Sequence, residues 1–250
     1  MTNRSLGRSL RTLITGGTRG IGAAIAHRLA ADGHSLVLGY LSDAEAAEST
    51  RDSVRALGAS CEVVRADITT DTGIAELFEA AGPITGVVNN AGATYRYAPL
   101  VDTPADEIRK TYAVNLVGPT LVARAAVAAL TENTRSGGVI VNISSGAATL
   151  GSPGEYVHYA AAKAGIDALT KGLGLEVAGQ GIRVVAVAPG LTETGMHAAT
   201  GDPGRITRMA PQIPLGRSSS PDEVAEAVAW LMSDKASYVT ATTLRVAGGR

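Results

Sequence analysis

The chain is 250 residues long, 45% of them apolar, with a formal net charge of −1. That length fits one large α/β domain or two small ones and supplies a sizeable core. A charge balance this close to neutral gives no sign of electrostatic steering toward nucleic acid or an acidic membrane surface, and no apolar stretch approaches the length of a membrane span.

In chain order, the slightly basic start at Arg4, Arg8 and Arg11 is followed by no apolar run of signal-peptide type. LRTLIT (10–15) reads as the first strand. After it, TGGTRGIG, Thr15 to Gly22, runs straight into a helix at 20–32. Its glycines allow a tight turn and close backbone approach, and the helix N-terminus offers free N–H groups to a pyrophosphate. SLVLGY (35–40) is the second strand, followed by a helix at 43–57 that Asp43 caps. CEVVRA (61–66) is the third, with a helix at 71–81. It contains the one cysteine, Cys61, as a buried structural thiol; a lone cysteine forms no internal disulfide and fits a reducing cytoplasm. ITGVVN (84–89) is the fourth strand and ends in a second glycine site, NNAG at 89–92.

Helices follow at 104–113 and 116–132, the first with Thr103 as cap before Pro104. GVIVNI (138–143) is the fifth strand, leading to Ser144-Ser145, and a long helix covers 157–178. IRVVAV (182–187) ends in Pro189-Gly190. The segment 191–220 has weak period; a loop this long in a compact domain is functional, and 191–214 reads as a lid. Ser220-Pro221 opens a helix at 221–233, and TLRVAG (243–248) is the last strand. The strands are continuously apolar and alternate with helices, which predicts a single domain, 1–250: a doubly wound parallel sheet of Rossmann type, covered on both faces. His27, His34, His158 and His197 share no ligand spacing, so no metal is expected.

TGGTRGIG, NNAG, Ser144-Ser145, Tyr159-x3-Lys163 and Pro189-Gly190 stand in the order, and near the spacing, of the short-chain dehydrogenase/reductase family. Over essentially its whole length the chain resembles bacterial members of the glucose-dehydrogenase-like and ketoacyl-carrier-protein-reductase-like kind. The resemblance implies hydride transfer between a nicotinamide cofactor and a ketone, aldehyde or alcohol. It implies a catalytic set of Asn115, Ser145, Tyr159 and Lys163. It also implies a cofactor site of Gly16, Thr18, Arg19, Gly20, Ile21 and Gly22; Tyr40, Leu41 and Ser42; Asp67 and Ile68; Asn90, Ala91 and Gly92; Tyr159 and Lys163; and Pro189, Gly190, Thr192 and Thr194.

The chemistry of the pair agrees with that role. A phenol has a pKa near 10, and an ammonium one helical turn away favours the phenolate. Tyr159 is therefore the proton donor, and Ser145 rather than Ser144 the hydroxyl on the substrate oxygen. Asn115 resembles the family's water-holding asparagine; by chemistry alone it would break or cap a helix. Tyr156 stands seven residues before Lys163, like the Tyr-x6-Lys of enoyl reductases, and is read as a pocket wall. Tyr95, Tyr97, Ser152, His158, Leu191, Met196 and His197 are further pocket candidates. No carboxylate stands at Tyr40, Leu41 or Ser42, where family members specific for NAD have one, and Arg19 sits in the loop. NADP(H) is therefore the preferred cofactor, with NAD(H) possible.

Three positions depart from the family pattern: Val185 for asparagine, Ala241 for glycine, and Ala247 for aspartate. The helices at 116–132 and 157–178 carry more apolar residues than one buried stripe needs, and in the family they build a two-fold interface. A homotetramer with a small-molecule substrate is expected. A catalytically silent NADP(H)-binding regulator and an enoyl reductase using Tyr156 are the alternatives.

Overall fold

The computed structural model describes residues 10–133, 137–196, 202 and 204–250; Arg4, Arg8, His197 and part of the segment 191–214 lie outside them. Seven strands, β1 Arg11–Thr15, β2 Ser35–Tyr40, β3 Cys61–Arg65, β4 Gly86–Asn89, β5 Gly138–Ile143, β6 Ile182–Pro189 and β7 Thr242–Val246, form one sheet in the order β3-β2-β1-β4-β5-β6-β7. Every pairing is parallel. Among the described residues the α-helices include α1 Gly20–Ala31, α2 Ala44–Ala56, α3 Asp71–Ala81, α4 Ala105–Tyr112, α5 Gly118–Asn133, α6 Ala147–Leu150, α7 Val157–Val177, α8 Arg205–Met209 and α9 Pro221–Met232.

Strand side chains alternate between the two faces. Ile14, Leu38, Val88, Val141 and Val187 pack with α1 and α9; Leu13, Val37, Val87, Ile140 and Val184 pack with α3, α5 and α7. Both faces are thus covered, each fully buried aliphatic side chain contributing on the order of 2 kcal/mol. The exceptions are the edges. Only Cys61 of β3 is buried, and no residue of β7 is. Val185, where the family has asparagine, is fully buried in the first of these clusters, so no polar group is left unmet there.

The helix starts divide. Ser220 and Glu223 form a reciprocal capping box on α9, and Asp43 accepts from Ala46 N at 3.0 Å. Thr103, however, does not cap α4: its hydroxyl donates back to Pro99 O, closing the preceding turn, and Pro104 takes the cap position. Nor does Asn115 break a helix. It lies in a π turn, Ala113–Val117, that joins α4 to α5. The continuous helix Ala105–Glu132 has 28 residues and is long and apolar enough to cross a membrane by those criteria alone, which corrects the reading from apolar runs. Its apolar residues Val122, Ala126 and Leu130 are instead buried against the sheet.

This order puts the site in place. From β1 the chain winds outward through β2 and β3, then returns to β4 on the other side of β1. The carboxyl ends of β1 and β4 therefore flank a crevice where the winding reverses, the position at which doubly wound sheets bind ligands.

Candidate functional site

The two glycine segments meet at that crevice. Gly16 and Gly20 have φ of +61° and +53°, which glycine adopts without a Cβ penalty. A Cβ on Gly22 would stand 2.0 Å from Gly16 O and 2.7 Å from Asn90 Nδ2. Asn90 Nδ2 donates to Thr15 O and Gly16 O, and the N–H groups of Asn90 and Ala91 both donate to Thr15 Oγ1 at 3.0 Å. The NNAG backbone is thus laced to the first loop. Arg19, at the N-cap of α1, makes no side-chain bond to the first turn, so that turn keeps N–H donors for an anion. A backbone cradle that side chains would fill, ending at an open helix N-terminus, fits the pyrophosphate of a dinucleotide.

From this cradle extends one cavity of about 810 Å³. One end is bounded by Tyr40, Leu41, Ser42, Asp67 and Ile68, and Ser145, Tyr159 and Lys163 line it further on. Thr18, Ile21, Gly92, Pro189, Gly190, Thr192 and Thr194 line it too, so every residue expected at the cofactor reaches this cavity. Thr192 is committed elsewhere: it is buried, and its hydroxyl bonds Ser219 Oγ at 2.9 Å.

Tyr159 and Lys163 are both buried on α7. Lys163 Nζ donates to Ile143 O at 2.8 Å, and burial brings its pKa down to about 8. Burial also dominates at Tyr159 and pushes the phenol upward, the proximity of Tyr156 adding to this while a hydrogen bond with Ser145 opposes it. The expected lowering of the phenol by lysine is therefore not what this structure has. Excluding water penalises the phenolate and the ammonium alike, and the phenol is held protonated. Ser145 faces Tyr159, whereas Ser144 is buried with its hydroxyl on Lys163 O. Asn115 is fully buried and does not line the cavity. Its amide donates to Ala93 O and Thr111 O, and its Oδ1 accepts from Ala93 N. A Cβ on Gly92 would lie 2.8 Å from Asn115 Oδ1 and 3.4 Å from Lys163 Nζ, so the absent side chain leaves room for both groups to approach the backbone there.

Of the pocket candidates, Tyr97, Ser152, Tyr156, Leu191 and Met196 line the cavity. Tyr95 does not. His158 is buried away from it, with Glu107 the charge that acts on it. Reasoning from sequence missed Leu150, Glu155, Arg205, Met209 and Ile213, which also line it. Only the bulk of the apolar ones was a signal. It missed as well a buried chain from Asn89 through Asn142 to Thr170 that ties β4 and β5 to α7.

A family model described as enoyl-(acyl carrier protein) reductase matches residues 16–250. The chain is 44% identical over 243 residues to the uncharacterized oxidoreductase YgfF of Escherichia coli, with 95% of this chain and 98% of that one covered. It is 39% identical over 242 residues to 3beta-hydroxysteroid dehydrogenase 1 of Eggerthella lenta, covering 95% and 92%. The crystal structure of 3-ketoacyl-(acyl-carrier-protein) reductase from Brucella melitensis, complexed with NADH, matches with a TM-score of 0.89 at 32% identity, covering 96% and 98%.

Proposed function

The chain belongs to the short-chain dehydrogenase/reductase family of oxidoreductases, and on that premise we propose that it interconverts a ketone or aldehyde and its alcohol with NADP(H), as a cytoplasmic homotetramer. The observation that carries this reading is the convergence of Ser145, Tyr159 and Lys163 in one cavity with the glycine cradle. When bound, the nicotinamide supplies a hydride to the carbonyl carbon or takes one from the alcohol carbon. Tyr159 then donates its hydroxyl proton to the carbonyl oxygen, and in the reverse direction takes it back. Burial suits the donor role, because it keeps the phenol protonated until an acceptor arrives. Ser145 holds the same oxygen beside the phenol. Lys163, its ammonium fixed on Ile143 O, stabilises the phenolate that proton transfer leaves. Asn115 keeps the Ala93 backbone and the π turn in place beside Lys163.

The description of the family model favours a second reading, reduction of a carbon–carbon double bond with Tyr156 as donor. Against it, Tyr156 accepts a hydrogen bond from Arg205 at 3.2 Å and serves as a wall. We propose that residues 191–214 act as the lid, with Thr192 and Thr194 next to the cofactor. A panel of ketones, aldehydes and enones assayed by NADPH absorbance tests the choice. Turnover of ketones or aldehydes is expected. Tight NADPH binding with no turnover anywhere would instead identify a silent regulator.

A further inference from the structure

Part of the cavity wall is aromatic and has no part in the steps above. Tyr97, in the loop after β4, and Tyr156, at the start of α7, have ring centroids 4.9 Å apart at 34°. Tyr156 in turn meets the Tyr159 ring edge-on, 5.3 Å away at 84°. Against both outer rings stands Arg205 of α8, which is 5% exposed. Its guanidinium carbon lies 4.7 Å from the Tyr97 centroid and 5.5 Å from that of Tyr156. Nη1 and Nη2 each donate to a Glu155 carboxylate oxygen at 2.7 Å, and Nη2 also reaches the Tyr156 hydroxyl. One side chain thereby joins the segments that follow β4, precede α7 and follow β6.

We infer that Arg205 is a positioning residue that sets the substrate class: it holds Tyr97 and Tyr156 as a rigid, charge-compensated wall, so that the site prefers a carbonyl carried on an apolar ring to one on a flexible chain. That the bound ring is a substrate rests on the carbonyl-reductase reading above; the preference of the wall for a ring does not. The guanidinium charge is met in bidentate fashion by Glu155, so the wall asks for no anionic group on the substrate. Leu150, Met209 and Ile213 add further apolar lining. A wall already ordered charges its ligand little for fitting, and a ring loses less freedom on binding than an open chain does. Arg205 Nε is buried and has no hydrogen-bond partner among the described residues, a destabilising feature that stability alone does not explain. Lysine would not replace this arginine, because it lacks both the planar fork for Glu155 and the flat face for two rings.

The test compares cyclohexanone with a linear hexanone, first by NMR-detected binding to the complex with oxidised cofactor and then by kcat/KM. In wild type the ring is favoured about five- to tenfold, the advantage of not immobilising a flexible chain on binding. Arg205→Lys and Glu155→Gln reduce that ratio toward unity while cofactor Kd stays within about twofold, which also shows that the variants are folded. A wild type without ring preference, or a preference that survives Arg205→Lys, overturns the inference. If both ketones turn over equally, it fails while the reductase reading stands. Ring-selective binding without turnover upholds it and defeats the reductase reading, and binding of neither ketone defeats both.

Discussion

Lys163 Nζ lies 5.7 Å from the centre of the Tyr159 ring and is anchored on Ile143 O, so ammonium and phenol share one buried site one helical turn apart. Burial moves them in opposite directions, the phenol up and the ammonium down. Both therefore lean toward their neutral forms, and the transferable proton belongs to the phenol. Tyr159→Phe keeps the ring packing and removes that proton. Turnover of the best ketone is expected to fall at least about 10²-fold, while NADPH still binds. Wild-type turnover in this variant would move the donor role to Tyr156.

Lys163→Met separates charge from packing. Because the folded pKa is about 8 against an ordinary 10.5, the folded protein binds fewer protons than the unfolded chain between those values. Wild-type stability therefore rises with pH across that window, and the cost of the buried charge is fully felt below pH 8. The methionine variant lacks this titrating group. Its stability relative to wild type should be greatest near pH 7 and decline by up to about 3 kcal/mol toward pH 10.5. Denaturant unfolding of both proteins at several pH values measures it, and parallel curves would contradict it. In wild type, kcat/KM for reduction should fall as pH passes about 8, where the ammonium deprotonates in the free enzyme.

Ala241 is the departure from the family pattern that the structure makes expensive. It has φ of +55°, where an alanine Cβ crowds its own carbonyl. Its N–H bonds Val184 O at 2.7 Å, and Gly174 approaches so closely that a Cβ there would stand 2.8 Å from Ala241 Cα, so the backbone is held in place. Ala241→Gly should stabilise the protein by on the order of 1 kcal/mol. In a chain of this size that raises Tm by about 2–4 °C. An unchanged or lower Tm would show that the backbone relaxes at no cost.

What the sequence made legible was local. Continuous apolar strands, the Ser220 and Asp43 caps, the glycine cradle and the four-residue spacing of Tyr159 and Lys163 all depend on residues a few positions apart. What it hid depends on the assembled fold. The direction of the Tyr159 shift sums burial from several elements, which reverses the effect expected from Lys163 alone. Arg205 and Glu155 are 50 residues apart. Arg205 moreover sits on a helix of 5 residues, too short for a periodic pattern to reveal. The π turn at Asn115 looked like a boundary because an asparagine inside an apolar helix offers no other local explanation. Its amide is in fact used inside the helix, on Thr111 O and on the Ala93 backbone.

Light scattering should find a tetramer at micromolar concentration. Val117 in the π turn and Leu175 on α7 are 50% and 66% exposed, and Val101, just before α4, is 91% exposed. Exposed apolar side chains on the π turn and α7, and in the turn before α4, call for a cover; a two-fold axis covers both copies with one patch, and a second such axis closes a tetramer. Val117→Glu or Leu175→Glu should then shift the particle toward a smaller species. A stable wild-type monomer would contradict the assembly.

The choice of dinucleotide turns on the end of β2. Tyr40 lines the cavity there, Leu41 is 57% exposed, and the first carboxylate, Asp43, is already committed to capping α2. No acid stands at 40–42 to accept a ribose 2′-hydroxyl or to repel a 2′-phosphate; Asp67, the other carboxylate at this end, has Oδ1 bonded to Thr69. Two guanidinium groups stand on the attractive side. Arg19 lies in the glycine loop at the N-cap of α1, and Arg65, at the end of β3, is fixed by its Nε on Leu41 O at 3.0 Å. If one charge-assisted contact carries the discrimination, the expected preference for NADPH is on the order of 1–3 kcal/mol. Arg19→Ala should lose kcat/KM with NADPH selectively, and Tyr40→Asp should invert the preference by adding the missing acid. Arg65→Ala should have a smaller effect than Arg19→Ala, because Arg65 does not line the cavity. A wild-type enzyme more efficient with NADH, or an Arg19→Ala variant that weakens both cofactors equally, would place the discrimination elsewhere.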